Sequence, residues 1–170
     1  GTTPTDPFDV GSGRVDAALA VNAVLVMDET TANFEAANPA VGGDPKTLNM
    51  ASFADDQCVQ TCSWTRVVRS TAAVTTTWQA QTSGPVGLDI TVTPPTFEIG
   101  PGATQVITVE ADVSALDADE WYFGEVTLAQ PGGRQADAPV TPDQHFPLAV
   151  IPSLGNLPAS VDINTRRDAG

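Results

Sequence analysis

Leu88–Asp112, LDITVTPPTFEIGPGATQVITVEAD, decides the fold. Leu88, Ile90 and Val92 alternate with Asp89, Thr91 and Thr93, the two-residue period of a strand with one wet face. Pro94-Pro95 ends ladder pairing, because proline has no N–H to donate. A short piece, Phe97-Glu98-Ile99, then reaches the turn Gly100-Pro101-Gly102. Beyond it Ile107, Val109, Ala111 and Val113 alternate with Val106, Thr108, Glu110 and Asp112. Two strands with a proline break and a glycine-proline turn form a unit of an antiparallel sandwich.

The flanking stretches extend this pattern. Leu48-Asn49-Met50 is the expected start of a first strand, Ser63–Thr71 a second and Ala73–Thr82 a third. Val74 and Trp78 share one parity in the third, with the tryptophan suited to the core. Arg66 shares parity with Trp64 and Val68, so it lies at a sheet end or the facing is inverted. Trp121–Gln130 puts Tyr122, Val126 and Leu128 on one face. His145–Pro152 gives the last strand through Phe146, Leu148 and Val150. About seven short strands separated by turns predict an all-β immunoglobulin- or fibronectin-III-like sandwich.

Upstream the period changes. Val15, Ala18, Leu19 and Asn22 fall at helical spacing, predicting a short helix over 14–22 with Ser12 as its N-cap. Asp28–Lys46 reads as a connecting loop punctuated by Asn38-Pro39, Gly42-Gly43 and Asp44-Pro45, with Phe34 as its anchor. Ser153–Gly170 has no periodicity and reads as a linker to a further domain. The sandwich is expected over 47–152.

The chain has 170 residues and a formal net charge of −14, with Lys46 its single lysine. That balance repels nucleic acid and anionic membranes, so neither is an expected partner. No apolar run has the length of a spanning helix.

Cys58 and Cys62 form a small disulfide or stand as free thiols. The disulfide is the expected state and implies an oxidising compartment. With no second Cys/His cluster, a four-ligand zinc site cannot be assembled from this chain alone. The single histidine, His145, is expected to be structural or solvent-facing, since a catalytic base needs a paired nucleophile. Gly11-Ser12-Gly13 is not a nucleophile turn. Asp55-Asp56 and Asp117-x-Asp119-Glu120 offer oxygen ligands for calcium, but neither has the ligand order of an EF-hand loop. Solvated carboxylates are the expectation, and no catalytic or cofactor-binding residue is assigned. Trp121 and Phe123, opposite in parity to Tyr122, suggest a sugar- or peptide-binding strip, or residues packed beneath a neighbouring domain.

GSGRVDAALAVN (11–22) and LVMDETTANFEAANPAVGGDPKTLNM (25–50) resemble the end of the catalytic domain, and the segment after it, of secreted subtilisin-like serine proteases, the subtilases. TRVVRST (65–71), VTPPTFEIGPGATQVITVEAD (92–112), WYFGEVTL (121–128) and HFPLAVIP (145–152) resemble the fibronectin-III-like domain that follows. The family's nucleophile lies in a G-T-S-M-A-x-P stretch that this chain lacks, so no catalytic residue carries over. The resemblance implies that residues 1–27 are a remnant of the catalytic domain. It also implies a secreted, non-catalytic accessory piece whose partner is its own protease domain, with protein substrate as a further partner. The module would support stability, maturation or substrate positioning. The alternative is a protein- or carbohydrate-binding or adhesion module.

Overall fold

A computed structural model describes residue 9, residues 17–131 and residues 143–154. Short helix α1 spans Ala17–Ala20 and α2 spans Thr31–Ala36, with single 3-10 turns at Pro39–Val41 and Pro45–Thr47. Nine strands are described in chain order: β1 (Leu25–Val26), β2 (Phe53–Cys58), β3 (Thr61–Ser70), β4 (Thr76–Ser83), β5 (Asp89–Thr93), β6 (Thr96–Ile99), β7 (Thr104–Asp112), β8 (Tyr122–Ala129) and β9 (Gln144–Pro152). They form two sheets, ordered β1-β3-β7-β5 and β2-β9-β8-β4-β6. All neighbours are antiparallel except β2 and β9, which run parallel. The expected all-β sandwich is the observed fold.

The prolines of the opening stretch do more than stop a strand. β5 pairs with β7 in the four-stranded sheet, whereas β6 pairs with β4 in the five-stranded one. The chain therefore changes sheets at Pro94-Pro95, where Thr93-Pro94 is cis. Neither ring nitrogen can donate to a ladder, so the interruption strands no amide donor. The Pro95 carbonyl accepts from the Ala80 amide at 2.8 Å and begins the new pairing.

Both inner faces follow the alternation. Ile107, Val109 and Ala111 of β7 are fully buried in one core with Val126 and Leu128 of β8, Leu148 and Val150 of β9, and Trp78 of β4. Trp64, Phe53 and Phe146 cluster together, with Phe53 5.7 Å from Trp64 and 6.0 Å from Phe146 between ring centroids. Tyr122 is half-buried against the same core.

Gly124 lies at a close approach within β8. A Cβ added there would meet Ile90 Cδ1 at 2.6 Å and the Ser83 backbone oxygen at 2.9 Å. One of these is main chain and cannot swing aside. Gly124→Ala should therefore cost about 1–3 kcal/mol, the range for overpacking a filled core. Urea melts check this, and an unchanged midpoint would show that the strands separate freely there.

Several expectations are corrected. Leu48–Met50 is not a strand; the first long strand begins at Phe53. β4 begins at Thr76, so Val74 lies outside it and is exposed, while Trp78 is buried as expected. The stretch 28–46, read as a loop, contains α2 and the first 3-10 turn, and the second begins within it. Phe34 does not anchor it: the residue is half exposed, and α2 buries none of its residues.

At the N-terminal side, α1 covers Ala17–Ala20 of the helix expected over 14–22. Ser12, residues 14–16 and residues 155–170 of the expected linker lie outside the described residues. Leu25–Val26, which the resemblance groups with an upstream remnant, pairs with Arg69–Ser70 of the sandwich. A two-residue strand is too short to show a period in the sequence.

Candidate functional site

Among the described residues, two groups of side chains stand out on this sandwich. The first sits where the segment before β2 crosses β3. β1 covers the β3 edge only at Arg69 and Ser70. Beyond that point the Asn49 side chain substitutes for a strand. The Val67 amide donates to Asn49 Oδ1 at 2.7 Å, and Asn49 Nδ2 donates to the Val67 carbonyl at 2.8 Å. One side-chain amide thus copies the donor–acceptor pair of a peptide group, which explains why residues 48–50 need no strand pairing of their own.

Glu29 secures Asn49 from behind. Its Oε2 accepts from the Asn49 amide at 2.6 Å, and its Oε1 accepts from the Thr30 amide at 2.7 Å and from Asn33 Nδ2 at 2.6 Å. The Asn49 bond is the main cause, ahead of Thr30 and Asn33, holding this carboxylate below its ordinary pKa. A depressed carboxylate stabilises the fold above its unfolded pKa and loses that contribution as pH falls through the folded value. Stability should therefore decline on acidification below about pH 4.3, and Glu29→Gln should flatten part of that decline. Urea midpoints measured across the acid range test this; parallel profiles for variant and parent would contradict it.

Beneath lies Arg66, buried on the same face of β3 as Trp64 and Val68, as its parity required. Its Nε donates to the Met50 carbonyl at 2.8 Å, Nη1 to Lys46 and Thr65 carbonyls at 3.0 and 2.9 Å, and Nη2 to the Ser52 carbonyl at 2.7 Å. The guanidinium carbon lies 5.1 Å from the Phe53 ring centroid, a cation–π contact. Burial pulls its pKa down and the Glu29 charge opposes this. The cation therefore sits mid-strand, neither at the sheet end nor on the inverted face expected of it, and it is accommodated because carbonyls of the incoming segment surround it. Asp55, also buried, accepts from Lys46 Nζ at 3.0 Å, which raises the lysine pKa. Most donors and acceptors of this cluster go to main chain, and they fasten residues 28–52 to the sandwich.

The second group lies on the outer face of the five-stranded sheet. Trp121 and Phe123 stack with centroids 6.2 Å apart and planes 15° from parallel. Glu125 and Thr127 continue the same face of β8, with His145 across on β9 opposite Thr127. His145 Nδ1 is 2.6 Å from Glu125 Oε1 and 3.3 Å from Thr127 Oγ1. Carboxylate and hydroxyl meet the same ring nitrogen. A triad needs them on opposite nitrogens, so that one orients the ring while the other gives up a proton. Thr127 is therefore not set up as a nucleophile.

Cys58 and Cys62 are joined, with Cα atoms 5.4 Å apart. The bond closes the connection from β2 to β3, which belong to different sheets, across Gln60 in the left-handed region at φ 59°. So short a loop limits the entropic stabilisation to about 2 kcal/mol. Asp55 and Asp56 are consecutive strand residues, one buried and one exposed, and so face opposite ways. Asp117, Asp119 and Glu120 are exposed. Among the described residues, no three His, Cys, Asp or Glu side chains are grouped to hold a metal.

The fibronectin type-III domain family model matches residues 47–141. The chain belongs to that family. This fibronectin type-III chain is also 28% identical to the subtilisin-like protease SBT2.5 of Arabidopsis thaliana over 153 residues, covering 79% of this chain and 19% of that protein. It is 26% identical to SBT2.6 of the same plant with the same coverage. The chain thus spans about a fifth of the length of these relatives. Together these matches bear out the resemblance to the fibronectin-III-like region of subtilases. Among solved structures, the chain is similar to the periplasmic chaperone SfaE, with a TM-score of 0.43 and 12% identity over 59% of this chain and 55% of that one.

The clasp of Glu29, Asn49 and Arg66 was not assembled by sequence reasoning. Arg66 carried a signal, a charge on the inward parity of a strand; Glu29 and Asn49 carried none.

Proposed function

We propose that this fibronectin type-III domain is a non-catalytic accessory domain of a secreted subtilisin-like serine endopeptidase, and that its partner is the catalytic domain of that protease. The similarity to SBT2.5 over 79% of the chain carries the reading. The clasp supports it physically: Arg66 and Asn49 bind the segment that enters the sandwich to β3, so a domain joined there would be held on a short, stitched connection rather than a free tether. Such an attachment suits stabilising the protease or positioning protein substrate. The disulfide agrees with an oxidising, extracellular location.

The purified chain is expected not to cleave casein. Sustained cleavage that copurifies with this polypeptide and is abolished by a serine-directed inhibitor would overturn the reading. A binding module for protein or carbohydrate is the second reading, favoured by the exposed Trp121 beside Phe123.

A further inference from the structure

Trp121 differs from the other two tryptophans in its surroundings. Trp64 and Trp78 are 2% and 0% exposed in the core, whereas Trp121 is 50% exposed. It stands immediately before β8 and stacks on Phe123, two residues along the outward face of that strand. Phe123 lies opposite Ala149 on β9, and Ala149 lies opposite Ala54 on β2. The positions across from Phe123 are thus small, and the two rings form a ledge there. A half-exposed indole beside a second ring offers a flat apolar surface to a partner.

Among the described residues, the charges flanking the ledge are mostly of one sign. Asp117, Asp119 and Glu120 are exposed in the turn that delivers Trp121, and Glu125 follows Phe123 on the same face, with His145 beside it. The described lysine and arginines are engaged elsewhere: Lys46 with Asp55, Arg69 with Asp28, and Arg66 inside the sandwich. An indole face attracts cations through its quadrupole, and surrounding carboxylates add attraction at longer range. Guanidinium suits such a site better than ammonium, because it is flat, weakly hydrated and able to stack while its edge bonds carboxylate oxygens. A neutral sugar could use the rings and donate hydroxyls to the carboxylates but would gain no long-range attraction, and an anionic ligand would be repelled.

We propose that the Trp121–Phe123 ledge is a docking site for a basic segment of a second protein, with an arginine side chain lying over the Trp121 ring. This deepens the binding-module reading by naming the partner's chemistry, and it is independent of the accessory-domain reading.

The probe is a fluorescein-labelled, end-blocked tetra-arginine peptide, followed by anisotropy as the purified chain is added at about 150 mM salt to screen distant charges. Saturable binding is expected, and Trp121→Ala should weaken it about 3–10-fold without altering the net charge. Trp121→Phe should recover part of the loss, and Glu125→Gln should weaken binding. Glu98→Gln, which changes net charge equally on β6, should not. The thermal unfolding midpoint of each variant shows whether it is folded. Equal affinity for Trp121→Ala and the parent would mean bulk electrostatic attraction and would overturn the proposal. So would the absence of binding up to about 1 mM. Protection of Trp121 from acrylamide quenching by a neutral hexasaccharide, with none by the peptide, would replace it with a sugar platform.

Discussion

Trp78→Ala should lower the unfolding free energy by about 3–5 kcal/mol, the range for truncating a buried aromatic. The indole is fully buried at a point where β4 is flanked by β6 and β8, opposite Phe97 in the ladder. Its Nε1 donates to Thr76 Oγ1 at 2.9 Å, so the only polar atom of the ring is satisfied within its own strand. Truncation then leaves a large apolar cavity between two sheets whose backbones are fixed by long ladders, and partial collapse cannot fill it. Urea denaturation measures the loss. A change below roughly 1 kcal/mol would mean that the ring contributes little packing and that the core is centred elsewhere.

Arg66→Ala should be comparably damaging, at least about 3 kcal/mol, for a different reason. The guanidinium satisfies carbonyls of Lys46, Met50, Ser52 and Thr65 and covers the Phe53 ring. Removing it leaves several acceptors short of donors near the core, and hydrogen bonds to a charged group are the stronger kind. The two losses should differ in distribution. Trp78→Ala should weaken amide protection throughout both sheets, whereas Arg66→Ala should release residues 46–52 first, while β7, β8 and β9 remain protected. Uniform loss of protection in Arg66→Ala would show that the incoming segment and the sandwich open as one unit.

The alternation through β7, β8 and β9 was legible because each strand has one face in the core and one towards water, so burial follows parity. Arg66 was legible as an anomaly for the same reason. The sheet switch at Pro94-Pro95 was not: proline marks where pairing ends, but which strand is joined next depends on contacts across the core. Leu48–Met50 misled because Leu48 is buried while Asn49 does with its side chain what a strand does with its backbone. Glu29 meets Asn49 from 20 residues away, and no local spacing rule reaches that far. At the ledge, the parity of Trp121 and Phe123 against Tyr122 placed both rings outward, but their stacking and the small residues beside them needed the registers of β8, β9 and β2.

The accessory-domain reading is tested most directly by the thermal inactivation half-life of the intact parent protease, compared with the same protease lacking residues 47–152, at equal concentrations of titrated active sites. The account predicts a clearly shorter half-life for the shortened enzyme, with turnover of a small peptide substrate nearly unchanged at low temperature. Equal half-lives, with equal turnover of protein substrates, would contradict it.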